Sequence, residues 1–377
     1  MLSCVSCFSV NVFAAGSVEN SELDILYEEQ LDDINSQRLF DSLPQNTKDS
    51  LSELGITSAN YQQLSSLDVR DMFTEIISIV GRTAGSPLCG MGVCIGIILL
   101  CTLTEGVRLT SDGKKLSTVQ GAVASMCVCT AIVVPLCRTI SDAADVLAGA
   151  SGFMLLYVPI LAGLVISSGN EITGTSYYTS MMTVGNIVSN AASRLVMPLM
   201  NVFLALSVTS SVSPGIRINS LCTSVYNIAK WVLTFVMSVF ITVMSLNTMV
   251  TSSMDNVSSR ALKFTVSSFV PVVGNVLGEA LTTFSGSLEL LKTGAGVFVI
   301  IASAFIILPV LMECVVWQFS LFLLSSVAEI SGLDRMTGLF KGISKAVGMV
   351  TALLLCVMTV FIISTVMILL AGRQGVY

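Results

Sequence analysis

The stretch TGAGVFVIIASAFIILPVLMECVVWQFSLFLLSSVA, residues 293–328, decides the fold class. Its 36 residues carry one charged side chain, Glu313. A helix needs about 20 apolar residues to cross the hydrocarbon core of a bilayer. Inside that core every backbone N–H and C=O must be satisfied within the chain, which a helix does and an isolated strand does not. The run therefore reads as membrane helix. Six further charge-free runs flank it, at residues 83–104, 116–137, 146–170, 195–216, 231–254 and 346–372. Residues 264–278 are a shorter run interrupted by Pro271 and Gly274, read as an eighth span or as a re-entrant or interfacial segment. Residues 172–193 are charge-free but rich in Ser, Thr and Asn, and read as a loop or a polar helix packed in the bundle. The expectation is an all-α polytopic membrane protein of about seven or eight transmembrane helices.

Composition agrees. The 377 residues are 53% hydrophobic and 11% charged, where soluble domains are about a quarter charged, and the mean hydropathy is +0.85. There is no histidine, which removes Ser-His-Asp and Cys-His nucleophiles and HExxH zinc sites. There is no GxxxxGK[ST] phosphate loop. The net charge of −6 and the absence of a basic patch speak against nucleic acid. Most of the eleven cysteines lie in apolar stretches, where a free cysteine packs as a small hydrophobe.

Charge divides the chain in two. Residues 16–87 hold thirteen acidic side chains against Arg38, Lys48, Arg70 and Arg82, a net of −9, and the remainder is +3. Residues 1–15, MLSCVSCFSVNVFAA, read as a signal peptide with a small-residue cleavage context, although the basic n-region is missing and the true start stays open. Residues 16–82 read as an acidic, helical, extracytoplasmic region, and residues 83–377 as the polytopic membrane domain. In the head, residues 42–56 form a capped helix, with Pro44 near its start and Gly55 to stop it. Residues 68–79 form an amphipathic helix leading into the membrane. Basic residues in short loops mark the cytoplasmic side. The loops with Arg108, Lys114 and Lys115, with Arg260 and Lys263, and with Arg335, Lys341 and Lys345 read as internal. Arg217 and Lys230 then fall outside.

A weak repeat of about 112 residues relates Tyr157-Val158-Pro159-Ile160-Leu161 to Phe269-Val270-Pro271-Val272-Val273, 112 apart, and residues 195–200 to residues 306–311, 111 apart. Three spans per unit would make it an inverted repeat. Inverted repeats with broken helices are the pattern of secondary transporters, so Pro159, Pro198, Pro271 and Pro309 are candidate helix breakers. An ionisable group inside a span is costly, and is a functional candidate. Glu313, one turn after Pro309, and Asn201, three residues after Pro198, are the two candidates; the alternative for both is a structural hydrogen bond between helices. Arg194 and Lys230 lie at run ends, where long side chains snorkel. Gly90, Gly92 and Gly96 have the small-residue spacing of close helix packing. Asp142 and Asp145 share one short loop, unlike an aspartyl protease, whose pair faces across two helices. No catalytic, cofactor-binding or metal site is expected.

Three stretches carry a family resemblance: LPQNTKDSLSELGI (residues 43–56), SSFVPVVGNVLGEALTT (267–283) and LLKTGAGV (290–297). Together with the acidic head and the order of spans, the chain resembles the stage III sporulation protein AE family of endospore-forming Firmicutes. The resemblance implies a non-enzymatic membrane subunit of the sporulation channel, or feeding-tube, complex linking mother cell and forespore. It implies a requirement for late forespore gene expression and spore formation. Location would be the mother-cell membrane surrounding the forespore. Partners would be other membrane proteins of the stage III sporulation A operon and a forespore membrane protein. The competing reading is a secondary transporter with a path lined by Glu313 and Asn201.

Overall fold

The computed structural model describes residues 36–56, 64, 69–108, 114–168, 170–212, 219–269 and 274–371. Among the described residues every regular element is helical. The signal-peptide reading, Pro271 and Arg217 lie outside them.

The head begins with α1 (Ser36–Asp41) and α2 (Gln45–Glu53). Pro44 precedes α2 with φ −56; its fixed φ and missing N–H suit a helix start. Gly55 ends it at φ +77. Ile56 N–H returns to the Leu51 carbonyl and Gly55 N–H to Ser52, both at 2.9 Å, which satisfies carbonyls the helix end leaves open. The predicted capped helix is therefore present. Leu39, Leu43, Leu51 and Ile56 are buried and belong to one core with the long helices. The amphipathic segment is α3 (Val69–Thr83), and α4 (Gly85–Arg108) follows it almost without a break. Ala84 N–H bonds the Val80 carbonyl and Leu88 N–H bonds that of Ala84.

Beyond α4 come α5 (Lys114–Ser167), then α6 (Glu171–Ser180), α7 (Asn186–Asn190) and α8 (Met197–Val212) in line, then α9 (Asn219–Phe269), α10 (Gly274–Ile330) and α11 (Asp334–Ala371). Two π-helical stretches, Met181–Gly185 and Ala191–Val196, join α6 to α7 and α7 to α8. The Ser/Thr/Asn-rich segment is thus polar helix and not loop. Among the described residues six helices are long and apolar enough to cross a membrane, by length and composition: Gly85–Leu103, Met126–Ser167, Glu171–Ser210, Ser220–Asn247, Leu288–Ile330 and Asp334–Leu369.

This differs from the expected count at one place. The runs 116–137 and 146–170 lie on the single helix α5, and Arg138, Asp142 and Asp145 are helical. A charge ends an apolar run, but it does not end a helix; no Gly or Pro stands between Leu136 and Ala148 to do so. At 1.5 Å per residue α5 is about 80 Å long, more than twice a bilayer core. Pro159 and Pro309 lie inside unbroken helices. Pro198 is the second residue of α8, directly after a π-helical stretch. The stretches paired by the 112-residue repeat have different settings: residues 306–311 are mid-helix in α10, whereas residues 195–200 bridge a π-helical stretch and α8.

Candidate functional site

Glu313 finds its partner on α5. Thr139 Oγ1 donates to Glu313 Oε1 at 2.7 Å, and Trp317 Nε1 donates to Thr139 Oγ1 at 3.2 Å. Trp317 and Thr139 are buried. Two turns along α5, a Cβ on Gly90 of α4 would meet the Trp317 ring at 3.2 Å, with the Ala131 carbonyl at 3.9 Å. Of the three spaced glycines only Gly90 packs this closely; nothing lies within 4 Å of a Cβ on Gly92 or Gly96.

These pairs set α5 antiparallel to both α4 and α10 and give every helix a common level. Arg82 stands eight residues before Gly90, which raises it to the height of Thr139. On the helix that returns from α5, Ser151 bonds Ser189 and Met154 lies against Gly185. Arg194, five residues past Ser189, comes down to within two turns of Thr139. Asn201 shares a groove with Cys137 and Ser141. Phe203 and Tyr226 rings are 5.8 Å apart, so Lys230 arrives at this height on α9. On α11, Ser344 Oγ donates to Gln318 Oε1 at 3.2 Å and its carbonyl accepts from Gln318 Nε2 at 3.0 Å; Lys345 follows.

Arg82, Arg138, Asp142, Asp145, Lys230, Glu313 and Lys345 thus fall in one charged band around Thr139, with Arg194 about two turns from it. All but Glu313 are exposed. Arg82 is held there by Glu75 at 2.7 Å, with Glu53 at 4.0 Å. Glu75, nearly buried, also accepts from Ser50 Oγ at 3.0 Å. The Arg82–Glu75 pair lies within α3; Glu53 to Arg82 and Ser50 to Glu75 join α2 to it. Asp142 and Asp145 lie one turn apart on α5, on the same helix and not across from each other.

Glu313 and Asn201 share the level but not a face. Thr139, which meets Glu313, is two residues from both Cys137 and Ser141, which line the groove of Asn201. Two residues are about 200° around a helix. Glu313 and Asn201 therefore face opposite sides of α5.

On one side of this level every long helix is free of charge for 20 residues or more: 146–170, 172–193, 231–254, 293–312 and 346–372. Here helices are joined by apolar packing and a few hydrogen bonds. Tyr177 and Ser364 hydroxyls lie 2.8 Å apart, Ser176 Oγ donates to Asn247 Oδ1 at 2.5 Å, and the rings of Phe153, Tyr157 and Phe361 cluster within 6.5 Å. Sequence reasoning passed over Thr139, Trp317 and this Tyr–Ser pair, because hydroxyls and a lone Trp in apolar runs carry no spacing signal. Among the described residues no group of three or more His, Cys, Asp or Glu is placed to hold a metal ion.

Comparison with known proteins gives a family. A family model described as stage III sporulation protein AE matches residues 56–372. A protein named stage III sporulation protein AE, from Bacillus subtilis (strain 168), is 24% identical over 290 residues, which is 75% of this chain and 71% of that protein. No solved structure matches.

Proposed function

The chain belongs to the stage III sporulation protein AE family, and on that footing we propose that it is a non-enzymatic membrane subunit of the channel complex linking mother cell and forespore. It serves late forespore gene expression and spore formation from the mother-cell membrane that surrounds the forespore. Its partners are the other membrane proteins of the stage III sporulation A operon and a protein of the forespore membrane, with the acidic N-terminal region on the extracytoplasmic side.

The observation that carries this reading is the extent of the family match, which begins just past α2 at residue 56 and takes in the long helices up to residue 372. Two features of the fold support a subunit over a lone carrier. Large apolar side chains such as Leu99, Leu100, Leu103, Phe319 and Phe322 are exposed on the outside of the bundle, and contiguous apolar surface marks contact with protein or lipid. Glu313, the charge expected to line a carrier path, is instead spent on an interhelical hydrogen bond.

The test is genetic and biochemical. Deleting the gene in its sporulating host should abolish late forespore gene expression and spore formation. Crosslinking in the same cells should recover the chain with its operon partners. Normal spores from the deletion strain, or recovery of the chain alone, would overturn the proposal. A carrier would instead move a solute in purified vesicles and lose that transport with Glu313→Gln.

A further inference from the structure

Two neighbouring helices turn opposite kinds of surface outward at the same height. Asn247 of α9 bonds Ser176 of α6, and Val232 and Val236 of α9 line one small cavity with Ala191 and Ala192. Residues 176–192 and 232–247 therefore run side by side in opposite directions. Both belong to helices long and apolar enough to cross a membrane. On α9 the outward line is Trp231, Phe235, Val239, Thr242 and Leu246, all exposed, with one polar member. On the α6–α7 helix the outward line is Thr175, Thr179, Thr183, Asn186 and Asn190, all exposed and all polar, and it runs on to Arg194. Residues three and four apart share a helix face, so each line is a continuous stripe. Exposed Tyr178 and Ile187 lie beside the polar one.

The polar stripe has hydrogen-bonding capacity to spare. Thr179 Oγ1 donates to the Thr175 carbonyl at 3.0 Å, Asn186 Nδ2 to that of Met182 at 2.7 Å, and Asn190 Nδ2 to that of Asn186 at 2.8 Å. These bonds hold the amides against their own helix. An asparagine amide also carries a second N–H and an oxygen that accepts twice. Among the described residues no donor meets the side-chain oxygen of Asn186 or Asn190. Facing hydrocarbon, those oxygens would be unsatisfied, which is costly. A contact with another helix needs far fewer polar groups: Asn247 alone joins α9 to α6, through Ser176 and Ser180. From Thr175 to Asn190 the stripe is about 20 Å long at the helical rise. Water satisfies such a face along its whole length; lipid or one crossing helix does not. Water also reaches this height. The exposed head packs there, with Pro44 4.0 Å from where a Cβ on Gly149 would lie, and Ser151, two residues on, bonds Ser189.

We infer that the outer face of the α6–α7 helix lines a hydrated path, while the outer face of α9 beside it meets apolar surroundings. The Ser, Thr and Asn residues that set 172–193 apart from the other charge-free runs thereby gain a role. Neutral hydroxyls and amides hydrogen-bond small hydrophilic solutes and favour neither sign of charge, so that is the class of solute the path suits. That the path serves as a conduit rests on the channel reading proposed above; that the face meets water does not.

Thiol labelling separates the two stripes. Thr179→Cys, Asn186→Cys, Val239→Cys and Leu246→Cys are made one at a time in the full chain and expressed in the sporulating host. All four positions are exposed, so the substitutions leave the core intact. Membranes are isolated as open sheets and treated with a charged, membrane-impermeant methanethiosulfonate. The modified fraction is read at each introduced site by mass spectrometry, so the native cysteines do not enter the comparison. The thiolate is the reactive form and it forms in water, so Thr179→Cys and Asn186→Cys should react at least about tenfold faster than Val239→Cys and Leu246→Cys. Equally slow reaction at all four would overturn the inference, because the polar stripe would then face lipid or protein. Equally fast reaction at all four would overturn it too, because both helices would then stand in water on every side. Labelling reads the face and the deletion strain reads the channel, so one can fail while the other stands.

Discussion

Thr139 on α5 gives its hydroxyl proton to the carboxylate of Glu313 on α10 across 2.7 Å, and their contact fixes the height at which the charges of all the long helices meet. Glu313 is thus one member of a band shared with Arg82, Arg138, Lys230 and Lys345. Its carboxylate also depends on a second-hand partner, since the same Thr139 oxygen accepts from Trp317.

That chain of bonds predicts unequal substitutions. Glu313→Gln keeps an acceptor oxygen for Thr139 and should change the melting temperature in detergent little. Thr139→Val strands both the carboxylate and the buried indole N–H, and should cost about 1–3 kcal/mol. Equal losses from the two variants would show that the hydroxyl is not the hub.

Gly90 predicts a steric contrast. A valine there drives its branches into the Trp317 ring and should destabilise by about 1–3 kcal/mol. Gly96→Ala faces open space and should be neutral, or stabilising by up to about 1 kcal/mol from helix propensity. Thermal denaturation of the two variants checks the difference.

The head should detach before the bundle fails. Glu75→Ala removes the shared partner of Arg82 and Ser50, and Leu51→Ala empties a fully buried position; a buried Leu→Ala costs about 2–5 kcal/mol. Limited proteolysis should cut both variants faster than the parent within the head, while the long helices keep their protection. Unchanged cleavage would mean that α2 does not dock on α3 and the bundle in this way.

Much of the fold is legible residue by residue. Pro44 and Gly55 announce α2 because a helix start and stop are local events, and charge-free runs announce membrane helices because solvation is set by composition. The continuity of α5 is not legible in the same way. Arg138, Asp142 and Asp145 break the apolar run, and only the absence of Gly and Pro between Leu136 and Ala148 hints that the helix continues. The charged level is further out of reach: Arg82 and Lys345 lie hundreds of residues apart in sequence, and their common height appears only once Gly90, Thr139 and Gln318 have been paired with their neighbours. Likewise Glu313 stood out correctly as an anomaly, but its role as a hydrogen-bonded strut depended on a threonine that no pattern singles out.

Crosslinking of the full chain in sporulating cells, followed by purification, tests the central claim most directly. The account predicts that the chain is recovered joined to other membrane proteins of the stage III sporulation A operon. Recovery of the chain alone would contradict it.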